Sequence, residues 1–295
     1  MTTWEYRILD VFTRRPLAGN QLAVFAEAAT IPEPLLQPLA LEIGFSETVF
    51  VYPPEQGGDA RIRIFTPASE IPFAGHPTLG AGVLLARERE LDRVTLETGR
   101  GIVPVEVAPG ADWAWRGAMQ QPIPSIAPFP AEELLLRALG AERSVLPVML
   151  YDNGIPHVYV MLPRPDDVAT LQPDPAALTE IARELALPFL GFNVFSGSGG
   201  DWKTRMFAPG DGIVEDPATG SAAGPLALHL ARHGLIPRGA EIRIAQGAET
   251  GRPSELFARV SLAGDEIDRI EVGGFAVPVG GGWFDGDLLT ATLEA

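Results

Sequence analysis

FTPASEIPFAGHPTLG, Phe65 to Gly80, and its echo FAPGDGIVEDPATGSAAG, Phe207 to Gly224, decide how this chain is read. In each, an alternating apolar stretch ends in Phe-x-Pro: Phe65-Thr66-Pro67 and Phe207-Ala208-Pro209. An irregular loop follows. Then comes a polar residue before proline, His76-Pro77 in the first copy and Asp216-Pro217 in the second. A threonine (Thr78; Thr219), a glycine (Gly80; Gly220) and a run of small residues complete the phrase. A phrase repeated at this length signals two similar halves. The two runs, GAGVLLARE from Gly80 and GSAAGPLALHLARHG from Gly220, are apolar nearly all round at their starts. A helix of that kind is buried on most sides, and its small residues let neighbouring backbones come close. A sheet curled around each helix satisfies both demands, and the two halves are expected to face one another across a cleft.

Outward from these phrases the chain alternates strands and helices. Tyr6–Phe12 reads as a strand, Arg15–Asn20 as a turn, and Gln21–Phe25 as a second apolar run. Leu35, Leu36, Leu39 and Ile43 line up as a helix face over Pro32–Phe45. Pro38 inside that span stands against it, because an interior proline costs about 3 kcal/mol. Strands are expected at Ser46–Tyr52 and Ala60–Phe65, a helix at His76–Glu90, and two strands over Asp92–Val107 across the Gly99-Arg100-Gly101 turn. Pro122–Pro128, with prolines at 122, 124 and 128, reads as the linker. Helices are predicted at Ala131–Leu139, Pro175–Ala186 and Ala222–His233. From Glu241 on, strands are predicted at Ile242–Ile244, Leu256–Val260, Ile270–Val272, Phe275–Val277 and, last, Leu288–Leu293.

The chain has 295 residues, which suggests two domains or one large one, and 46% of them are hydrophobic, ample for a sizeable core. There are no cysteines, which excludes disulfides, thiolate catalysis and zinc–thiolate sites. The opening MTTWEYRILDVF shows no basic region followed by an apolar core, so no signal peptide is expected. No apolar run approaches the ~18 residues of a membrane helix. A soluble, cytoplasmic protein with no membrane partner is the expectation. The net charge of −16 opposes nucleic acid, since phosphate binding relies on clustered Lys and Arg and no such cluster occurs. An anionic small molecule can bind only where local donors overcome this field.

Such donors are expected at the two helix starts. Gly75-His76-Pro77-Thr78 and Thr219-Gly220-Ser221 place small or hydroxyl residues where a helix leaves its first N–H groups unpaired. Those groups and the helix dipole favour an anion; ordinary capping by Thr78 or Ser221 is the plainer alternative. Glu47, in Gly44-Phe45-Ser46-Glu47-Thr48-Val49-Phe50, sits among apolar residues where helix passes to strand. A desolvated carboxyl there has a raised pKa and suits acid/base work, unless it is an exposed loop residue. His76 is either a donor to a substrate or a structural turn histidine. Asp216 is either a second acid/base or an anchor for the helix that follows. His157 reads as the head of a strand. His229 and His233 share a helix face at i, i+4 spacing, but no third ligand accompanies them, so they read as helix surface. Gly197-Ser198-Gly199-Gly200 lacks the strand–GxGxxG–helix context of a dinucleotide site, and neither a Walker-type phosphate loop nor a GxSxG elbow occurs.

With these residues in view, the chain resembles the PhzF family, named for phenazine biosynthesis. Five phrases in order carry the resemblance: DVFTRRPLAGNQLAVF, FSETVFV, RIRIFTPASEIPFAGHPTLG, RMFAPGDGIVEDPATGSAAGPLALHLARHG and QGAETGRPSELFARV. The last two resemble the phenazine-pathway isomerase more than the family's distant members. The resemblance implies an α+β, diaminopimelate epimerase-like fold: two pseudo-symmetric domains, each a barrel-like β-sheet around a central helix, with the active site between them. It implies domains of residues 1–124, with 280–295 returning to the first, and 125–279. It implies a homodimer with no metal and no organic cofactor. Two-cysteine racemisation, as in the epimerase relatives, is excluded here by composition. The resemblance makes Glu47 the proton shuttle, with His76 and Asp216 the other catalytic residues. It gives Asn20, Gly75, Gly220 and Ser221 to a small anionic, cyclic, amino-acid-like substrate. Gln21 stands where the family's GNP phrase has proline. The implied activity is isomerisation of trans-2,3-dihydro-3-hydroxyanthranilate. A related isomerase or epimerase of another small amino or cyclic acid, and a non-catalytic carboxylate-binding relative, are the rivals, because function resides in the site and not the fold.

Overall fold

Alternation in ARIRIF (residues 60–65) and EIRIAQ (241–246) turns every second side chain inward, and both segments are strands with that burial. The structure, a computed structural model, describes residues 2–187, 189–263 and 266–293. The chain forms two units, one running to Met119 and resuming at Gly273, the other Gln120–Val272.

The first unit holds β1 (Thr3–Val11), β2 (Asn20–Phe25), α1 (Leu36–Ile43), β3 (Thr48–Tyr52), β4 (Ala60–Phe65), β5 (Glu70–Ile71), α2 (Gly75–Arg89), β6 (Arg93–Thr98), β7 (Gly101–Pro109) and most of β8 (Trp115–Gln121). β1 pairs antiparallel with β2, β2 parallel with β3, β3 antiparallel with β4, β4 parallel with β6, and β6, β7 and β8 follow antiparallel. The chain's return strand pairs with β1 and also with β8, which closes the ring. Inside it stands α2, buried from Gly75 to Ala86. The small residues are what admit it: a Cβ on Gly82 would stand 2.8 Å from Val105 Cβ on the barrel wall. Outside the ring, Leu36, Leu39 and Ala40 of α1 pack on Trp4, Phe25, Phe50 and Phe65. Each leucine or phenylalanine among them, fully buried, contributes about 1.5–3 kcal/mol.

The second unit continues with β9 (Ser125–Pro128), α3 (Glu132–Leu139), β10 (Met149–Asp152), β11 (Pro156–Met161), α4 (Pro165–Ala169), α5 (Pro175–Glu184), β12 (Gly191–Ser198), β13 (Asp201–Ala208), β14 (Ile213–Asp216), α6 (Gly220–Arg232), β15 (Glu241–Gln246) and β16 (Ser254–Ala263). β9 through β13 pair in sequence, antiparallel except β11 with β12, and β13 runs parallel to β15, which pairs with β16. α6 is buried from Gly220 to Leu230 against the inner faces of these strands. On their outer face, Leu135 and Leu139 of α3 and Leu178 and Ile181 of α5 pack on Val158, Val160, Phe192 and Phe207. The chain ends with β17 (Glu266–Asp285) and α7 (Gly286–Ala291).

Four expectations are corrected. The helix around Pro38 begins only at Leu36, after a 3-10 turn at Glu33–Leu35. Pro38 therefore lies in the first turn, where its missing N–H has no partner to lose. The prolines at 122–128 do not make a free linker, because Ser125–Pro128 pairs with Met149–Asp152. The two short strands at 270–277 belong to one strand of 20 residues. No strand forms at Leu288–Leu293: Asp285 accepts from Leu288 N at 3.0 Å and caps a helix instead.

Candidate active site

Glu47 lies in the short crossing from α1 to β3, four residues past the helix end. Its side chain is only 13% exposed, and its Oε2 lies 3.4 Å from His76 Nε2. That spacing is long for a hydrogen bond, and Oε2 has no other partner among the described residues. Burial pushes the Glu47 carboxyl up to about 7, against a smaller opposing pull from the Ser46 hydroxyl. His76, the second residue of α2, is 5% exposed. Its orientation is set from the far side. Ser46 Oγ lies 3.3 Å from Asn20 Oδ1, and Asn20 Nδ2 lies 3.4 Å from His76 Nδ1. The other ring nitrogen, Nε2, faces the Glu47 carboxyl. Gly75 opens the same helix, and Ala74 before it is extended. The first unit thus gathers Asn20, Glu47, Gly75 and His76. Thr78 does not cap α2: its hydroxyl donates back to Ala74 O at 2.7 Å.

The second unit gathers Asp216, Gly220 and Ser221. Asp216 ends β14 and its Oδ2 accepts from Thr219 Oγ1 at 2.7 Å. Thr219 in turn is the residue before α6, and Gln246 accepts from its backbone N–H while donating to Asp216 O at 2.8 Å. Asp216 thus orders the approach to the helix through Thr219. Three side chains then hold the first turn of α6 by its carbonyls: Gln121 Nε2 to Gly220 O at 2.8 Å, Asn153 Nδ2 to Ser221 O at 2.9 Å, and Tyr159 OH to Ala222 O at 2.7 Å. The middle one has a specific cause. Ser221 O would normally accept from the residue four places on, and that residue is Pro225, which has no N–H.

Sequence patterns did not reveal Gln121, Asn153, Asn193 or Gln246, because each acts across sequence separations that no local motif marks. His157 heads β11 as expected, but its ring reaches Ser221. His229 is corrected outright: it is fully buried, with Nδ1 3.0 Å from Tyr151 OH, and burial drives it down to about 3. A central helix has no surface face to offer it. Among the described residues no three His, Asp or Glu side chains gather as metal ligands. A cavity of about 740 Å³ opens at the other end of α2, lined by Tyr6, Arg7, Tyr52, Asp59, Glu88 and Arg89. It contains none of the candidate residues.

The model of the phenazine biosynthesis-like (PhzC-PhzF) proteins matches residues 9–282. The chain belongs to this family. It is 46% identical over 270 residues to the trans-2,3-dihydro-3-hydroxyanthranilate isomerase of Pseudomonas aeruginosa, covering 92% of this chain and 95% of that one. Among solved structures, a phenazine biosynthesis protein of the PhzF family from Bacillus anthracis superposes with a TM-score of 0.84 at 25% identity, over 97% of this chain and 100% of the other. A hydroxyproline epimerase from Agrobacterium vitis superposes with a TM-score of 0.63 at 12% identity, over 95% and 92%. That likeness shows the fold, which is diaminopimelate epimerase-like, with strands and helices mixed as the resemblance implied.

Proposed function

We propose that this PhzF-family protein is an isomerase that moves a proton on trans-2,3-dihydro-3-hydroxyanthranilate, with Glu47 as the only acid/base. The observation that carries the proposal is the Glu47 carboxyl: buried, raised to about 7, with one oxygen lacking a hydrogen-bond partner among the described residues and lying beside His76 Nε2. The 46% identity to a protein named for this reaction supports the substrate.

The Glu47 carboxylate removes the proton from C3 of the ring. The electron pair left behind spreads into the adjoining double bonds. Glu47, now a carboxylic acid, returns the same proton to another ring carbon on the same face, giving an enol that becomes a ketone. Nothing is gained or lost overall. A single group that must be base and then acid works best with a pKa near the working pH, which burial supplies. His76 and Asp216 hold the ring amine and hydroxyl and steady the delocalised charge. The amides at Gly75 and Gly220, with Ser221 and Asn20, hold the ring carboxylate, and no metal or organic cofactor takes part. The protein works as a homodimer in the cytoplasm. The test is purified protein incubated with the dihydrohydroxyanthranilate and followed by ultraviolet absorbance and product mass. A new absorbance at unchanged mass supports the proposal. Unchanged absorbance would refute it, and turnover of another cyclic amino acid would then favour a different substrate.

A further inference from the structure

Ser221 Oγ lies 2.9 Å from His157 Nε2, inside the second unit. His157 is 0% exposed, on β11 beside the parallel strand β12. Behind its ring, Asn193 Nδ2 lies 3.2 Å from Nδ1. The orientation of that amide is determined by its other neighbours. The same Nδ2 faces Val158 O at 3.3 Å and Gly191 O at 3.2 Å. Turning the amide over would set its oxygen against two carbonyl oxygens. Nδ2 is therefore the atom presented to the ring, Nδ1 is an acceptor, and the ring proton belongs on Nε2. Burial drives His157 down to about 3, so the ring is neutral and carries that one proton. Space is reserved for this arrangement: a Cβ on Gly191 would stand 2.4 Å from His157 Nδ1.

The consequence falls on Ser221. Its oxygen accepts from His157 Nε2–H, so its own hydrogen must point elsewhere. Ser221 is 7% exposed, and its hydroxyl has no other hydrogen-bond partner among the described residues. We propose that His157, held by Asn193, is a positioning residue that fixes Ser221 as a hydrogen-bond donor to an anionic ligand group at the start of α6. The identity of that anion, a ring carboxylate, rests on the function proposed above; the orientation of the relay does not. A serine, a histidine and an asparagine in line also suggest acyl transfer by the serine. That chemistry needs Nε2 bare, to take the serine proton, and a ring able to become charged. Neither condition holds here.

The first test reads the relay directly. The chain has 4 histidines, so ring nitrogens are assignable by NMR with the His157→Gln variant as reference. His157 is expected to show a protonated Nε2 and a bare Nδ1, unchanged between about pH 5 and 8. The opposite tautomer, or a charged ring in that range, overturns the proposal whatever the substrate is. The second test reads the consequence. His157→Phe should raise KM about tenfold or more, the worth of a hydrogen bond to a charged group, while kcat falls far less. His157→Gln, which can still present an N–H, should recover most of the loss. The double variant with Ser221→Ala should be no worse than Ser221→Ala alone. Additive losses, or equal losses for Phe and Gln, would make His157 a fold residue only. If the wild-type protein turns over no dihydrohydroxyanthranilate, the functional proposal falls and the NMR measurement still decides this one.

Discussion

At the residue scale, a buried carboxyl that works near neutrality has two measurable consequences. Below about 7 Glu47 holds its proton and cannot act as a base. The profile of kcat/KM against pH should therefore fall about tenfold per unit on the acid side of a limb near 7. A limb near the ordinary value of 4.5 would mean an exposed, unshifted group. The second consequence is a cost. Between 4.5 and about 7 the folded protein keeps a proton that the unfolded chain has lost, so stability falls as pH rises through that window and stays lower above it. Glu47→Gln removes the titration. At pH 8 it should be more stable than wild type by up to about 3 kcal/mol, and at pH 4 the two should match, as thermal unfolding by calorimetry would show. The local phrase Gly44-Phe45-Ser46-Glu47-Thr48 left open whether this glutamate was buried or exposed. What buries it is the start of α2, almost thirty residues further on, which no local pattern records.

At the scale of elements, the repeated phrases made the two central helices legible, because a helix apolar on all sides has few places to stand. Legibility ended where partners are distant in sequence. No sequence pattern tied Pro225 of α6 to a remote partner; the structure shows Asn153 supplying the donor that proline lacks. Asn153→Ala should thus leave Ser221 O buried and unpaired, at about 1–3 kcal/mol. Pro225→Ala in that background should restore an N–H and recover part of the loss, which denaturant titration of the four proteins would measure. Independent effects would contradict this account of the proline. Likewise His229 and His233 obeyed a helix-face spacing, but periodicity says which residues share a face and not whether that face meets water. The final strand failed for a related reason: Leu288 and Leu289 are apolar enough for a strand, and a single capping aspartate redirects them.

At the scale of the molecule, composition excluded thiol chemistry before any fold was known, and the five ordered phrases carried family and fold together. The dimer implied by the family is checked by light scattering, which should give twice the 31.5 kDa chain mass; a monomer mass would contradict it. The central claim is narrower, that one carboxyl group moves the proton. The most direct measurement compares wild type and Glu47→Gln in heavy water, with dihydrohydroxyanthranilate as substrate, following turnover by absorbance and binding by calorimetry. The account predicts that the variant binds with affinity close to wild type and that its turnover falls below detection. Turnover surviving within about tenfold of wild type would mean that another group carries the proton.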